Sequence, residues 1–316
     1  MALADHASLL PLLPEDRVGA VEAIEPITVG LSGAGVYAVT TSRGAYVLRV
    51  GALAHDPEAF AHHLRVLRRA ADAGVAPPVV HVDEGARALV SVRVRGMPLG
   101  AALANPEQRG RALSSAVDRL RALHGLDPSD VAPSDPTGYA IDRWRAYRER
   151  PGYAAWAEPV EPALERVRAI LAADARRVVS HNDVNPVNLL WDGTSAWLID
   201  WEVAGMNHPH FDLATLAMFL RLGDDVTESL LAQHDGRPPN DEARATFRAL
   251  RGLAGVLCGL TFLGMVEDLA VRPAPARADA PTLLGCYEAM RAGKLDVQTP
   301  EGRATFGLAL LSEGLG

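Results

Sequence analysis

Lysine is nearly missing from this chain of 316 residues: of its 31 basic side chains one, Lys294, is lysine and the others are arginine. A phosphate loop of the Walker A kind needs Gly-Lys followed by Ser or Thr, and the sole Gly-Lys pair, Gly293-Lys294, continues with leucine. That loop is excluded. Cysteine is scarce too. Cys258 and Cys286 are too few for a disulfide framework and stand outside any Cys-x-x-Cys or Cys/His ligand spacing, which fits a reducing compartment. Positive charge is not in excess: the formal net charge is −8, and a general nucleic-acid binder needs a basic face. The N-terminal residues lack the basic start, apolar core and small-residue cleavage site of a signal peptide. The most apolar run, Gly252 to Val266, is too short to cross a bilayer and is flanked by Arg251 and Glu267, so it reads as a buried helix. The expected location is cytoplasmic, with neither nucleic acid nor membrane as partner.

What is present is ample core material: 48% of residues are hydrophobic and 22% charged, enough for about two ordinary domains. Residues 27 to 50 carry a β-branched start, a Gly/Ser-rich turn, an apolar run over 36 to 41, a Ser-Arg-Gly turn and a second run over 45 to 50. This predicts a hairpin at a sheet edge. Asp56 or Pro57 starts a helix with Phe60, Leu64, Leu67 and Ala71 at helical spacing, stopped by Gly74. Short strands are expected at 79 to 82 and 88 to 94. After Gly96-Met97-Pro98 the pattern becomes mainly helical, with a stripe of Leu113, Val117, Leu120 and Leu123 and helix-like stretches over 161 to 172 and 243 to 271. Residues 178 to 201 are the exception, reading as loop, strand, Asp-Gly turn and strand. The implied class is α+β, with a β-rich domain over 1–94 and a larger helical one over 95–316.

The chemistry concentrates in His181-Asn182-Asp183-Val184-Asn185-Pro186-Val187-Asn188 and in Ile199-Asp200-Trp201-Glu202. Asp183, Asn188 and Asp200 bracket a loop and a turn between two short strands, a pattern that can gather oxygen ligands for Mg²⁺ beside a base that accepts a hydroxyl proton. The plainer alternative is a hydrogen-bonded Asx loop. For His181 the alternative is a packed, satisfied histidine.

These motifs resemble those of the aminoglycoside phosphotransferases and choline/ethanolamine kinases. Their H-x-D-x-x-x-x-N loop matches His181 to Asn188, and their I-D-[WF]-x-x-A turn matches Ile199 to Ala204. The D-L-A helix start matches Asp212-Leu213-Ala214. Upstream, Arg95 to Leu99 looks like the hinge-side strand and Arg121 to His124 like a helical Leu-His. The resemblance implies a bilobal protein-kinase-like fold, with a small antiparallel N-lobe for the nucleotide and a helical C-lobe carrying the catalytic loop and acceptor pocket. It also implies an ATP- and Mg²⁺-dependent transfer of the γ-phosphate to a hydroxyl. Asp183 would accept the proton, Asn188 and Asp200 would hold Mg²⁺, and His181 would orient the loop. Glu202, two residues beyond Asp200 on strand-like backbone, would assist the metal or substrate pocket. Asp212 is expected as a helix N-cap.

In Gly30-Leu31-Ser32-Gly33-Ala34-Gly35, the backbone amides of Ser32, Gly33, Ala34 and Gly35 could close over ATP phosphates. A dinucleotide fingerprint fits the letters but needs a helix directly after the glycines, and Val36 to Thr41 is strand-like. A glycine-rich hairpin without ligand remains the plain alternative. Where kinase-like folds place a phosphate-binding lysine paired with a helix glutamate, this chain has Arg49. A guanidinium keeps the charge with different reach. The helix acid falls near His62 or His63, so the pair is expected to be shifted to Glu58 or absent, with both histidines on the helix surface.

His-Asn-Asp resembles the bacterial choline, ethanolamine and thiamine kinase side of the family, so the expected acceptor is a small cationic alcohol. The alternatives are an aminoglycoside-type antibiotic phosphotransferase or a catalytically weak nucleotide-binding regulatory protein. Acidic candidates for a cationic acceptor are Glu202, Glu267 and Asp268. Trp191, Trp197 and Trp201 are expected in the core. His208-Pro209-His210 lacks the further Cys/His spacing of a zinc site.

Overall fold

The computed structural model describes residues 3–27, 35–51, 56–267, 269 and 274–316. Its chain packs as two compact units, Met1–Ala132 with Val178–Met206, and Pro133–Arg177 with Asn207–Gly316.

The first unit is built on an antiparallel sheet of β1 (Val21–Pro26), β2 (Gly35–Thr41), β3 (Gly44–Val50), β4 (Val79–Asp83) and β5 (Ala88–Val92), in the order β1-β2-β3-β5-β4. The predicted hairpin is β2–β3, but it lies inside the sheet, because β1 covers β2 and β5 covers β3. The edges are β1 and β4. Strand alternation sends Tyr46 and Leu48 of β3 into a core with Leu13, Val18, Ile24, Val39 and Val90. It turns Val47 and Arg49 to the other face.

A short helix, α1 (Glu15–Val18), precedes the sheet, and α2 (Pro57–Asp72) follows β3. Its start is fixed by Asp56, whose Oδ1 accepts from the amide of Glu58 at 2.9 Å, and by Pro57 at the first helical position. Phe60 and Leu64 of α2 pack with Val82 of β4. Beyond β6 (Met97–Pro98) come α3 (Leu99–Leu103) and α4 (Pro106–His124). The predicted α4 stripe is buried in full, each such side chain contributing about 1.5–3 kcal/mol.

The second unit contains α5 (Pro136–Arg148) and α6 (Val160–Ala173). The first unit resumes with β7 (Val178–Ser180), β8 (Leu189–Trp191), β9 (Ala196–Leu198) and β10 (Gly205–Asn207). β8 pairs with β6 and β9, and β7 pairs with β10. The second unit then adds α7 (His210–Phe219), α8 (Asp224–Asp235), α9 (Asp241–Gly264), α10 (Leu283–Arg291) and α11 (Pro300–Gly314). α9 is its central helix, packed by α5, α7 and α11. It ends at Gly264, before the residue 271 predicted from periodicity. It is long and apolar enough to cross a membrane, yet half of that stretch is buried within the fold.

The α9–α11 contact is made by glycines. A Cβ on Gly259 would lie 2.7 Å from the amide nitrogen of Leu311 and 2.8 Å from the carbonyl oxygen of Gly307, both backbone atoms that cannot swing aside. Alanine is the better helix former by about 1 kcal/mol, but overpacking costs about 1–3 kcal/mol, so Gly259→Ala should lower stability. Gly110 in α4 has nothing within 4 Å of its Cβ position, and Gly110→Ala should raise stability by about 0.5–1 kcal/mol. Denaturant unfolding of both variants checks the pair, and a stabilised Gly259→Ala would contradict this packing.

Candidate active site

β7 delivers His181 into a loop that returns at β8. His181 is fully buried. Its Nε2 lies 3.0 Å from the Ile199 carbonyl, its Nδ1 accepts from the Asp183 amide at 3.3 Å, and its ring meets Trp201 edge-on at 4.6 Å. The imidazole therefore ties the loop to the 199–202 turn and holds the backbone of Asp183. Asn182 takes a left-handed backbone, φ 65°, and its amide donates to the Val203 carbonyl at 3.0 Å.

Asp183 is held from three sides. Its Oδ2 accepts from Asn188 Nδ2 at 2.7 Å, its Oδ1 from Asn185 Nδ2 at 3.0 Å, and its carbonyl again from Asn188 at 3.1 Å. Both Asn188 bonds use Nδ2, which turns the Asn188 Oδ1 away from Asp183. Burial raises the Asp183 pKa above the usual carboxylate range. His181 and the two amides oppose that rise, while the charge of Asp200 adds to it.

The turn after β9 supplies the other two acids. Asp200 adopts φ 67°, a left-handed conformation that costs a residue other than glycine about 1–3 kcal/mol. Its Oδ1 accepts from Arg49 Nη1 at 2.9 Å, and Glu202 Oε1 accepts from Arg49 Nη2 at 2.5 Å. One guanidinium on β3 thus bridges both acids of the turn. Burial raises the Glu202 pKa, Arg49 lowers it, and Asp200 raises it further.

Asp183, His181, Asn188, Asp200, Glu202 and Arg49 come together in the first unit. Ser32, Gly33 and Ala34 lie outside the described residues. Gly35 opens β2, where a Cβ would sit 3.0 Å from the Tyr37 ring. Glu267 belongs to the second unit, and Asp268 lies outside the described residues. Trp191 and Trp201 are buried, whereas Trp197 is partly exposed beneath the Arg119 guanidinium, 5.4 Å from its ring centroid. Asp212 lies inside the first turn of α7, whose N-cap is Pro209, so it is no N-cap.

His63 is the residue that sequence reasoning misplaced. Instead of the helix surface, it is 3% exposed, stacked on Phe60 in α2. Burial lowers its pKa; the Trp201 backbone and Asp200 oppose the fall, and Arg49 adds to it. The helical period of Phe60, His63, Leu64 and Leu67 was the available signal, since His63 lies on that buried stripe. His62 does remain more exposed, accepting from the Ala132 amide at 3.0 Å.

A profile of the phosphotransferase enzyme family matches residues 23–253, well over half of the chain. The protein LicA of Haemophilus influenzae is 39% identical over 51 residues, a match spanning 16% of this chain and 19% of that protein. Among solved structures, a choline/ethanolamine kinase family protein from Mesorhizobium loti shares 23% identity with a TM-score of 0.69 over 100% of both chains. Choline kinase LicA from Streptococcus pneumoniae is 18% identical with a TM-score of 0.62, over 86% of this chain and 96% of that one. A type VIII aminoglycoside-3'-phosphotransferase is 24% identical with a TM-score of 0.51, over 77% and 97%. The α+β, protein-kinase-like fold expected from the sequence is the fold found.

Removing Arg49 would leave Asp200 and Glu202 facing each other without a counter-charge. Arg49→Met should cost about 1–3 kcal/mol at pH 8, the partial exposure of Asp200 keeping the loss below that of a fully buried pair. Glu202 already titrates above its ordinary range, and losing Arg49 lifts it further. The folded variant then takes up a proton as pH falls, so the loss should shrink by pH 5. Urea unfolding at both pH values checks this, and equal losses would contradict it.

Proposed function

The chain belongs to the phosphotransferase enzyme family, and we propose that it transfers the γ-phosphate of ATP to a hydroxyl of a small cationic alcohol of the choline, ethanolamine or thiamine kind. The observation that carries this reading is the Asp183–Asn188 bond of 2.7 Å in the same unit as an Arg49 clamped to Asp200 and Glu202. It brings a carboxylate held by amides, further oxygen donors and a guanidinium into one unit, the groups that this chemistry requires.

Asp183 acts as the base. Its raised pKa suits proton acceptance better than an ordinary aspartate would, and such a base contributes ~10² to 10⁴ in rate. The Asn185 and Asn188 amides fix both carboxylate oxygens, so the acceptor hydroxyl meets a group of defined direction. Arg49 offers its guanidinium to the phosphates, with bidentate geometry and permanent charge. The donor chemistry fits Mg²⁺: the Asp200 carboxylate and the Asn188 Oδ1 are hard oxygens, and Asn188 has committed only its nitrogen. When bound there, the ion would neutralise charge on the transferring phosphoryl oxygens.

A cationic acceptor is supported by the likeness to choline kinase LicA from Streptococcus pneumoniae and to a choline/ethanolamine kinase family protein. Glu202 is the acid of the site that could draw such an acceptor, although Arg49 already meets its charge. Its site in the first unit and its net charge of −8 support a small-molecule acceptor rather than a nucleic acid.

ADP release with Mg²⁺, ATP and a panel of choline, ethanolamine, thiamine, homoserine and aminoglycosides tests the proposal. Stimulation by a small cationic alcohol is expected; stimulation by aminoglycosides alone would move the chain to the antibiotic side, and ATP binding without turnover would make it a regulatory protein. Asp183→Asn should lower turnover by about 10² or more with nucleotide affinity nearly unchanged. In Asn188→Ala, the Asp183 carboxylate loses a bond that lowers its pKa, so the acid limb of the pH–rate profile should move to higher pH. An unmoved limb would sink the base assignment.

A further inference from the structure

The second unit holds a cluster that the proposed phosphoryl transfer does not use. His210, the first residue of α7, and His234 and Asp235, in the last turn of α8, converge on one point. His210 Nε2 lies 3.1 and 3.0 Å from the two Asp235 oxygens, and His234 Nδ1 lies 2.7 Å from Asp235 Oδ1. One ligand atom from each residue falls within 4.8 Å of the others. Sequence spacing could not reveal this, since 24 residues and a helix separate the contributors.

We infer that His210, His234 and Asp235 form a binding site for a divalent cation of the zinc class, with water as a further ligand. Two imidazole nitrogens and one carboxylate oxygen are the donor set of a borderline metal rather than of Mg²⁺ or Ca²⁺, which take oxygen. Ligand bonds of about 2.0–2.2 Å around a tetrahedral ion place ligand atoms about 3.3 Å apart, so the Asp235 contacts of 3.0 and 2.7 Å need only open slightly, while the two imidazole nitrogens lie within 4.8 Å of each other. Both imidazoles are buried, His210 completely. The His210 Nδ1 is buried with no hydrogen-bond partner, so no bond there fixes its tautomer and Nε2 can present its lone pair.

The surroundings supply access and support. A cavity of about 620 Å³ is lined by Asp235 and, among others, Asp174, Arg176, Arg237 and Glu242, so the Asp235 side of the cluster adjoins space for water. The cationic neighbour Arg176 is already engaged, its Nη2 donating to Asp174 at 2.5 Å. His208, whose Nδ1 accepts from the His210 amide at 3.1 Å and whose Nε2 meets Asp174 at 3.0 Å, holds the His210 backbone. An ion here would clip the start of α7 to the end of α8.

The alternative is a carboxylate bridging two imidazole N–H groups with no ion. Cobalt(II) alone, titrated into chelator-stripped full-length protein, separates the two through its visible d–d band. One equivalent should produce the band, and zinc should bleach it. In His234→Asn, an amide nitrogen stands near the Nδ1 position and keeps the hydrogen bond but ligates no metal, so affinity should fall at least about tenfold. Asp200→Ala, in the first unit, should leave the band unchanged. Zinc, but not magnesium, should also raise the melting temperature of the wild-type protein, a readout that needs no variant. Absence of the band, an equal band in His234→Asn, or a melting temperature indifferent to zinc would overturn the site.

Discussion

A guanidinium that cannot shed its proton governs the first unit. Arg49 lies on β3, on the sheet face opposite Tyr46 and Leu48, with a side chain only 13% exposed. Burying such a charge costs several kcal/mol unless it is met by opposite charge in good geometry. The 199–202 turn meets it with two acids. Asp200 meets it from a left-handed backbone. In a regular strand Asp200 and Glu202 would share a face, but here the chain turns at Glu202 and Val203, where the Ala204 amide donates to the Trp201 carbonyl at 3.2 Å. The turn is pinned on either side: the Ile199 amide donates to the Asn188 carbonyl at 2.9 Å, and the Trp201 indole donates to the Leu198 carbonyl at 3.1 Å. The strain at Asp200 is local, and its compensation is the ion pair across to β3.

The 181–188 loop hangs from the same turn. His181 reaches the Ile199 carbonyl with one nitrogen and the Asp183 amide with the other, so a displacement of the turn is passed to Asp183. The charges are coupled as well. Asp200 raises the Asp183 pKa, while Arg49 restrains that of Glu202. Exchange of the single cation for a neutral side chain would therefore alter the titration of the turn before it altered any backbone contact.

Much of this was legible in the sequence because it is carried by short-range spacing. The five-residue step from Asp183 to Asn188 fixes a hydrogen bond within one loop, and the Asp-Gly turn between β8 and β9 sets where Asp200 falls. The α4 stripe and the Asp56–Pro57 helix start follow from period and capping. The misreadings concern partners that no local pattern encodes. β1 lies before the glycine-rich segment, and without it the hairpin looked like an edge. His63 reads as a polar surface residue until its place on the stripe of Phe60, Leu64 and Leu67 is weighed above its polarity. His210 finds His234 and Asp235 only through the packing of α7 on α8, so a two-histidine motif looked incomplete.

The position of His63 bears on how the Arg49 charge is shared. A helix carboxylate there would have drawn the guanidinium toward α2 and left the turn acids free. An imidazole kept neutral by burial exerts no such pull, so Asp200 and Glu202 are the carboxylates bonded to Arg49 among the described residues. In the proposed reaction, phosphate oxygens compete with Asp200 and Glu202 for the guanidinium, and an ion on Asp200 competes with the guanidinium for the carboxylate. The two competitions relieve each other: an ion that draws Asp200 away frees Arg49 for phosphate, and phosphate that draws Arg49 away frees Asp200 for the ion. Binding of the one must then favour binding of the other by the same factor. With arginine on β3 and histidine on α2, the charge available to phosphate in the proposed reaction would thus depend on what occupies the turn.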